Sequence, residues 1–214
     1  MKILMSGALC YPWPEEMTHD EIIAAKRTLR RRMLENLRAM PARERVEGSL
    51  SLMDRLLGSE LWTQAEAIYS YLSLELEVDT HRAHTAALAG GKRLALPRIE
   101  GDELDFRFVE ELAGPWEAGA LGIREPSTAL PAASWAPGGA VLILVPGLAF
   151  DGAGGRLGRG KGFYDRFLAR SGAPATVGLC FSVQLVDEVP REQNDHRVGW
   201  LATETALFKT ASRP

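Results

Sequence analysis

The spacing of apolar residues predicts two amphipathic helices in the first third of the chain. One helix begins at the capping-box pattern formed by Thr18 and Glu21 and continues to about Ala39, before Pro41 interrupts the pattern. A second helix covers residues 42–57. The residues of this second helix that we expect to face the core are Val46, Leu50, Met53 and Leu57.

Beyond residue 66, short apolar runs alternate with capped or amphipathic segments, which is typical of a sheet covered by helices. The most apolar run, residues 140–145, lies between Gly139 and Pro146 and predicts a central buried strand. The remaining predicted elements are strands over residues 67–74, 93–99, 106–109, 175–182 and 200–205, and helices between residues 80 and 90 and between residues 162 and 170. The pattern predicts one α/β domain whose parallel or mixed sheet has helices on both faces.

Residues 111–137 are rich in Pro, Gly and Ala and show no periodicity. We expect an ordered loop and not a free linker, because this segment carries apolar side chains that need burial. These side chains are Trp116, Leu121, Ile123 and Trp135.

Composition and charge narrow the function classes. Apolar residues make up 46% of the chain and charged residues 25%, which is ordinary for a soluble globular protein. The formal net charge of -3 gives no electrostatic reason to bind nucleic acid, so any anion site must be local. Cys10 and Cys180 have neither disulfide-framework nor zinc-site spacing, which indicates a reducing compartment.

The start of the chain does not predict a secretory signal. Its apolar run is about seven residues long, at the lower limit of the hydrophobic part of such a signal, and Pro12 and Pro14 break it. We therefore expect residues 1–17 to form an N-terminal extension. No stretch approaches the roughly 18 apolar residues of a membrane span. The sequence predicts a cytoplasmic protein with no membrane partner.

The strongest chemical signal is the sequence DGAGGRLGRGKGFYDRF, residues 151–167, whose residues 152–162 we call the glycine-rich loop. This loop connects the predicted central strand to a helix, where open α/β sheets bind their ligands. Its glycines permit close approach and positive φ, and Arg156, Arg159 and Lys161 supply charge. A P-loop carries Ser or Thr where this chain has Gly162, so magnesium needs other ligands. A nucleoside triphosphate site is favoured over the alternative, a solvated basic loop.

Two further signals are ambiguous on their own. Lys26 interrupts the apolar row between Ile22 and Leu29, and Arg30 lies one turn further along the same face. Both cations either extend over the edge of the core or point into an anion site. Asp165 lies in the first turn after the loop, where it either complements the helix dipole or binds a metal, and a second acidic ligand would favour the metal.

Residues 145–168, VPGLAFDGAGGRLGRGKGFYDRFL, resemble the signature of the 5-formyltetrahydrofolate cyclo-ligase family. Shorter segments follow in that family's order and at about its spacing, so that the resemblance covers nearly everything after residue 24. These are KRTLR at 26–30, YLSLELEVDT at 71–80, GIREP at 122–126, Gln184, and VPREQND at 189–195. The resemblance implies a single three-layer α/β/α domain over residues 18–214, with a mixed, mostly parallel sheet.

The resemblance also implies a reaction. It is the ATP- and Mg²⁺-dependent, irreversible cyclisation of 5-formyltetrahydrofolate, a small-molecule substrate with or without a polyglutamate tail, to 5,10-methenyltetrahydrofolate. In the family ATP phosphorylates the formyl oxygen, nitrogen 10 attacks the activated carbon, and ADP and phosphate leave. Such phosphoryl transfer needs positioning and charge neutralisation, which glycines, cations and a metal supply without a covalent nucleophile.

The implied site residues fall into four groups. The catalytic cations are Lys161, Arg156 and Arg159. ATP would contact Lys26, Arg27, Thr28, Leu29 and Arg30, and also Arg156, Leu157, Gly158, Arg159, Gly160, Lys161, Gly162, Phe163 and Tyr164. Folate would contact Arg30, Leu72, Glu77, Arg159, Gly160, Lys161, Gly162 and Phe163. Magnesium would bind Asp165 and Asp195.

Phe163 stands where relatives often have tyrosine, so that any role of the hydroxyl is absent while ring stacking on the pterin survives. For the pterin N–H groups we expect Glu77 to act as the acceptor. A glutamate tail of the substrate has two candidate partners, Arg98 and Arg124, and the spacing selects neither.

Other residues are expected to have no chemical role. We interpret His81 and His84 as solvent-facing, His196 as a bystander, and Ser70 and Ser73 as lacking a histidine base. A regulatory protein that binds a nucleotide without turnover is the second hypothesis, and an RNA-associated protein is the weakest. We expect a monomer or a weak dimer.

Overall fold

The computed structural model describes residues 17–119, 122–135, 138–170 and 174–211. The predicted N-terminal extension up to residue 16, with Cys10, and Leu121 of the predicted loop lie outside these residues. The helices are α1 (His19–Ala39), α2 (Ala42–Leu57), α3 (Glu60–Gln64), α4 (His81–Ala89) and α5 (Phe163–Leu168). The strands are β1 (Ala67–Tyr69), β2 (Arg93–Glu100), β3 (Glu103–Val109), β4 (Trp116–Ala118), β5 (Arg124–Pro126), β6 (Val141–Val145), β7 (Ala149–Asp151), β8 (Arg156–Leu157), β9 (Ala175–Leu179), β10 (Leu185–Val186), β11 (Trp200–Ala202) and β12 (Leu207–Lys209).

Seven strands form the main sheet in the order β12-β11-β9-β6-β1-β2-β3. The inner strands run parallel, with Ile68 of β1 in register with Leu94 on one side and Leu142 on the other. The edge strands β3 and β12 are antiparallel to their neighbours. The sheet is therefore mixed and mostly parallel, and β6 is its central, fully buried strand, as predicted.

Helices cover both faces of this sheet, which confirms the predicted three layers. Side chains of α1 to α4 pack with one set of alternating strand residues, which includes Ile68, Leu142 and Leu144. The opposite set, which includes Tyr69 and Ile143, packs against α5 and the surrounding loops. The rings of Phe106 and Phe167 lie 4.6 Å apart in this second core. None of the described helices has the length and apolar character needed to span a bilayer.

Helix α1 has the predicted capping box, in which Thr18 accepts from the Glu21 backbone and the Glu21 carboxylate accepts from the Thr18 backbone at 2.7 Å. Leu29 and Met33 are buried in the first core. Lys26 lies on the same buried face and is 6% exposed. A lysine therefore interrupts the apolar row of α1 at a buried position.

Helix α2 has the predicted bounds, and Met53 and Leu57 pack on the core as predicted, but the prediction is wrong for Val46 and Leu50. Val46 is 60% exposed and Leu50 is 46% exposed. The helix instead turns Gly48 inward, where a Cβ would lie 3.2 Å from the Phe181 ring. The small residue at position 48 lets α2 approach the Phe181 ring closely. The residues that line the buried face are Gly48, Ser49, Leu52, Met53 and Leu56.

Several other predictions are corrected. Strand β1 ends at Tyr69 and not at Leu74, and α5 ends at Leu168 and not at residue 170. Residues 111–137 were expected to lack regular elements, but β4 and β5 form an antiparallel hairpin within them. The elements that the pattern did not predict are α3, β4, β5, β7, β8, β10 and β12, whose short length leaves little periodic signal.

The histidine pair is also different from the prediction. His81 is exposed, but His84 is buried and its Nε2 lies 2.8 Å from the Ser70 hydroxyl. Burial lowers the pKa of His84 from 6.5 to about 4. Ser70 therefore has a histidine neighbour, contrary to prediction. The Ser70 side chain is fully buried and cannot contact a substrate. We therefore assign Ser70 a packing role and not that of a nucleophile.

Candidate active site

Most of the predicted site residues meet around a cavity of about 360 Å³ at the carboxyl end of β6. Its walls come from α1, from the segment after β1, from the tips of β2 and β3, from β5, and from the glycine-rich loop with the start of α5. This volume is within the range of small-molecule sites. The predicted residues on its wall are Lys26, Arg30, Leu72, Glu77, Arg156, Leu157, Gly158, Arg159, Gly160, Lys161, Gly162, Phe163, Tyr164, Asp165 and Asp195.

A small sheet fixes the base of the glycine-rich loop. Strand β7 pairs antiparallel with β8 and parallel with β10. Asp151, at the end of β7, accepts hydrogen bonds from the backbone of Ala153 at 2.9 Å and Gly155 at 2.8 Å through Oδ1. Its Oδ2 accepts from the Val189 backbone at 2.9 Å. Asp151 is therefore a structural anchor that sequence reasoning missed.

The glycines of the loop serve two different purposes. Gly160 and Gly162 have φ values of 99° and 69°, in the left-handed region that favours glycine. Gly155 and Gly158 do not have positive φ. At Gly155 a Cβ would lie 2.3 Å from the Asp151 carboxylate, so space and not φ requires glycine there.

Several residues of the loop that line the cavity have backbone N–H groups without a hydrogen-bond acceptor among the described residues. None of the backbone N–H groups of residues 159–163 donates a hydrogen bond within the part of the chain that the structure describes. Helix α5 is only six residues long, so these amides, more than a helix dipole, favour an anion.

Lys26 and Arg30 both point into the site from α1. The Lys26 Nζ lies 2.5 Å from Glu192 Oε2 and 2.6 Å from Asp195 Oδ2. Arg30 donates through Nε to the Gly158 carbonyl at 2.9 Å, which ties the helix to the loop. Both cations line the cavity, and Lys26 is paired there with two carboxylates.

Arg156 and Asp165 form a second buried pair. Arg156 Nη2 lies 2.7 Å from Asp165 Oδ1, and the His196 backbone also donates to this oxygen at 3.3 Å. The guanidinium carbon of Arg156 lies 5.6 Å from the ring centre of Tyr164. Burial raises the pKa of the Tyr164 hydroxyl well above its ordinary value of 10, so this group stays protonated.

Two cations remain at the open side of the loop. Arg159 Nε lies 3.0 Å from Glu77 Oε1, which joins the loop to the opposite wall. Lys161 is exposed, and within the described residues no carboxylate lies within ion-pair distance of it. Lys161 is therefore available to a ligand without first breaking an ion pair.

A third part of the wall is apolar. Phe163 and Ile99 pack onto the second core beside Leu104. The apolar residues of this wall are Ile23, Leu72, Leu74, Pro97, Ile99, Leu104, Ile123 and Phe163. Cations and free amides on one wall and apolar side chains on another suit a charged phosphate chain and a flat ring system in one cavity.

Comparison with known proteins assigns the chain to a family. A sequence model of the 5-formyltetrahydrofolate cyclo-ligase family matches residues 22–204. The chain belongs to this family.

Individual relatives agree with this assignment. Mouse 5-formyltetrahydrofolate cyclo-ligase is 31% identical over 195 residues, which cover 82% of this chain and 91% of the relative. The cyclo-ligase of Mycolicibacterium smegmatis is 33% identical over 180 residues, 80% of this chain and 89% of the relative. The NMR structure of Aquifex aeolicus 5,10-methenyltetrahydrofolate synthetase superimposes with a TM-score of 0.74 at 32% identity and covers 86% of this chain and 92% of that chain. The predicted family, fold class and type of enzyme are confirmed.

Three residues assigned to ATP by the family resemblance do not reach the cavity. Arg27 and Thr28 lie exposed on the outer face of α1, and Leu29 is fully buried in the first core. Helical geometry explains the difference, because neighbouring residues of a helix diverge by about 100° and Lys26 and Arg30, four apart, point in nearly the same direction. On α1 the structure therefore brings Lys26 and Arg30 to the site.

Sequence reasoning missed two carboxyl groups on the wall. Glu192 contacts Lys26 and also lies 3.0 Å from His19 Nδ1. Glu125 comes from β5 and is 2% exposed. Both residues belong to segments quoted for the family resemblance, and that position in a motif was the available signal.

The donor set fits magnesium in a nucleotide complex. Asp165 and Asp195 line the same cavity, and each has one carboxylate oxygen that accepts no hydrogen bond within the described residues. Those residues contain no group of three or more His, Cys, Asp or Glu that could hold a metal by itself. Magnesium usually binds one or two carboxylates together with substrate phosphates, so two carboxylates suffice here.

Proposed function

We propose that this protein catalyses the ATP-dependent, irreversible cyclisation of 5-formyltetrahydrofolate to 5,10-methenyltetrahydrofolate, with release of ADP and phosphate. The observation that carries the proposal is the run of backbone N–H groups at residues 159–163, from the glycine-rich loop to the start of α5, which donate no hydrogen bond within the described residues. The residues that carry these amides line a cavity that also has an apolar wall. The amides suit the triphosphate of ATP and the apolar wall suits the pterin ring, so both substrates would bind in the same cavity.

The triphosphate would lie along the loop and the N-terminal half of α1. Arg30, already tied to the Gly158 carbonyl, and the amides of residues 159–163 hold the phosphates. Lys161, which forms an ion pair with no carboxylate of the described residues, neutralises the transferred phosphoryl group. Arg156 and Arg159 add positive charge from the middle of the loop.

Magnesium would be held by Asp165 and Asp195 together with phosphate oxygens. When bound, it neutralises charge on the phosphates that are being transferred. Arg156 orients the Asp165 carboxylate, and the Glu192 backbone and Lys26 orient that of Asp195. These hydrogen bonds and ion pairs fix the orientation of the two carboxylates before the nucleotide binds.

The folate would lie against Leu72, Glu77 and Phe163. Its formyl oxygen forms a bond to the γ-phosphorus of ATP as the bond to ADP breaks. Nitrogen 10 then attacks the activated formyl carbon, loses its proton, and the former formyl oxygen leaves within phosphate. The loop only positions the two substrates and stabilises negative charge, so no protein nucleophile is required.

The experiment is a turnover assay with purified protein, ATP, magnesium and 5-formyltetrahydrofolate at neutral pH. We expect 5,10-methenyltetrahydrofolate and ADP in equal amounts, and no product when ATP is omitted. Folded protein that binds ATP but forms no product would contradict the proposal and favour a regulatory nucleotide-binding protein. The cytoplasmic location and the monomeric or weakly dimeric state stay predictions, and gel filtration tests the latter.

A further inference from the structure

Arg166 lies beside the end of the glycine-rich loop and contacts two residues of the cavity wall. Its guanidinium carbon lies 5.4 Å from the centre of the Phe163 ring, within the range of a cation–π contact. A Cβ on Gly162 would lie 2.7 Å from Arg166 Nη1, so the guanidinium also lies directly against the end of the loop. Gly162 and Phe163 line the cavity, whereas Arg166 is not among the described residues of its wall. Arg166 therefore contacts the cavity wall without forming part of it.

The same guanidinium binds the turn between β2 and β3. Arg166 Nε donates to the Asp102 carbonyl at 3.1 Å, and Nη2 donates to the same oxygen. The two strands that this turn joins bring Ile99 and Leu104 to the apolar wall of the cavity. One side chain therefore links the Phe163 ring to the hairpin that carries other apolar residues of the same wall.

The position of Phe163 explains why its ring needs such a contact. Phe163 is the first residue of α5, a helix of only six residues, and it is half-buried. A side chain that is not fully enclosed can adopt more than one rotamer. A guanidinium over the ring face favours the observed rotamer, and its planar shape lets it contact the ring and donate to the Asp102 carbonyl at the same time.

A second arginine makes similar contacts away from the cavity. Arg170 Nη2 lies 2.8 Å from Glu103 Oε2, and the Arg170 guanidinium carbon lies 5.8 Å from the centre of the Phe167 ring. Phe167 is buried in the second core and is not among the described residues that line the cavity. The side chains of Arg166 and Arg170 are 41% and 49% exposed, and both form an ion pair with Glu103. The two arginines differ in the ring that they contact, and of these two rings only that of Phe163 belongs to the cavity wall.

We infer that Arg166 is a positioning residue for the folate, because it holds the Phe163 ring and the β2–β3 turn together and so fixes the apolar wall that receives the pterin. This inference rests on the proposed function, which places the pterin on that wall. Removal of the Arg166 side chain should weaken folate binding and leave ATP binding unchanged. The backbone of Gly162 and Phe163 stays in place, since the Arg166 N–H donates to the Gly162 carbonyl at 3.0 Å and an alanine at position 166 keeps this bond.

The test measures two quantities in Arg166→Ala. The first is the dissociation constant of 5-formyltetrahydrofolate, measured by calorimetry without ATP, which should rise about 3- to 10-fold because the wall loses a cation–π contact and a hydrogen bond from a charged donor. The second is the KM for ATP at saturating folate, which should stay at the wild-type value. A role in general stability alone would not separate the two substrates in this way.

Arg170→Ala is the matched control, because it removes the same charge at similar exposure from the same hairpin. It should bind 5-formyltetrahydrofolate as tightly as the wild type. Equal folate affinities of Arg166→Ala and Arg170→Ala would overturn the inference, as would a KM for ATP that rises in parallel with the folate dissociation constant in Arg166→Ala.

Phe163→Leu tests whether Arg166 acts through the ring. Without the ring, Arg166→Ala should weaken folate binding clearly less than it does in the wild type, because the two residues share one contact. The same loss in both backgrounds would overturn the inference and indicate a direct contact between Arg166 and the folate. If Phe163→Leu does not fold, the comparison of the two arginine variants still decides. Folate binding without turnover in the wild type would contradict only the proposed function, and turnover with wild-type folate affinity in Arg166→Ala would contradict only the role of Arg166.

Discussion

The cations of this site are of two kinds, and the same substitution has different consequences at each. Lys26 is buried and contacts Glu192 and Asp195, so its charge is part of the folded structure. Lys161 is exposed and has no ion pair within the described residues. Removal of the first charge should lower stability, and removal of the second should affect only binding and turnover.

For Lys161→Ala we expect kcat/KM to fall by a factor of about 100 or more. The variant lacks the cation that stabilises the negative charge of the phosphoryl group in the transition state. The melting temperature should stay within about 1 °C of the wild type, since an exposed and unpaired side chain contributes little to stability. Steady-state kinetics and calorimetry measure both quantities. Lys209→Ala, another exposed lysine, is the control and should be normal in both. An unchanged kcat/KM in Lys161→Ala would remove this lysine from the site.

Lys26→Ala should destabilise the protein by about 2 kcal/mol, because it leaves the carboxylates of Glu192 and Asp195 close together without their cation. Urea unfolding measures this loss. Arg27→Ala, on the exposed face of the same helix, should change neither stability nor the KM for ATP. A raised KM for ATP in Arg27→Ala would show that the wider set predicted from the family resemblance was right.

At the scale of elements, the glycine-rich loop has a base that is fixed by neighbouring strands and an upper part that is not paired with them. Strands β7, β8 and β10 and the Asp151 carboxylate fix the turn at residues 151–155, while residues 159–163 keep free amides above it. The ligand-binding part therefore depends on a base that does not itself touch the ligand.

Two neighbouring glycines separate these roles. Gly155→Ala places a Cβ 2.3 Å from the Asp151 carboxylate, whereas a Cβ at Gly152 meets nothing within 4 Å. We expect Gly155→Ala to lose about 2 kcal/mol of stability and much of its ATP affinity. Gly152→Ala should stay within about 0.5 kcal/mol of the wild type. Equal stabilities of the two variants, measured by urea unfolding, would refute the role given to Asp151.

For the whole molecule, acid should weaken the fold partly through His84. The unfolded chain protonates this histidine near pH 6.5, but burial lowers the folded-state pKa to about 4. Between these values the unfolded state binds more protons, so stability falls as the pH falls. The expected loss from this residue between pH 7 and pH 5 is about 2 kcal/mol. His84→Gln should lack this part of the loss and the exposed His81→Gln should keep it, as urea unfolding at the two pH values would show. A His84→Gln profile parallel to the wild type would contradict the pKa assignment.

The whole fold also shows how far the sequence leads. Long elements with strong patterns, such as α1 and the central strand β6, could be predicted with nearly correct bounds. The buried face of α2 could not, since it contains Gly48, whose role depends on the Phe181 ring far along the chain. His84 looks polar in sequence, and only the fold reveals its partner Ser70.

The same limit applies to the site. The cations of the glycine-rich loop and the Asp165 carboxylate follow from one motif. Glu125 and the apolar wall come together only when β5 and the tips of β2 and β3 meet the loop, contacts that no local pattern encodes. Asp151 lies inside the quoted motif, but its three backbone partners became visible only in the structure.

Phosphoryl transfer to the formyl oxygen is the central chemical claim, and the fate of that oxygen tests it most directly. The substrate is 5-formyltetrahydrofolate with a heavy oxygen isotope in its formyl group, turned over with ATP and magnesium. Mass spectrometry of the released phosphate should find one heavy oxygen for each 5,10-methenyltetrahydrofolate formed. Heavy oxygen in water, with unlabelled phosphate, would contradict the account.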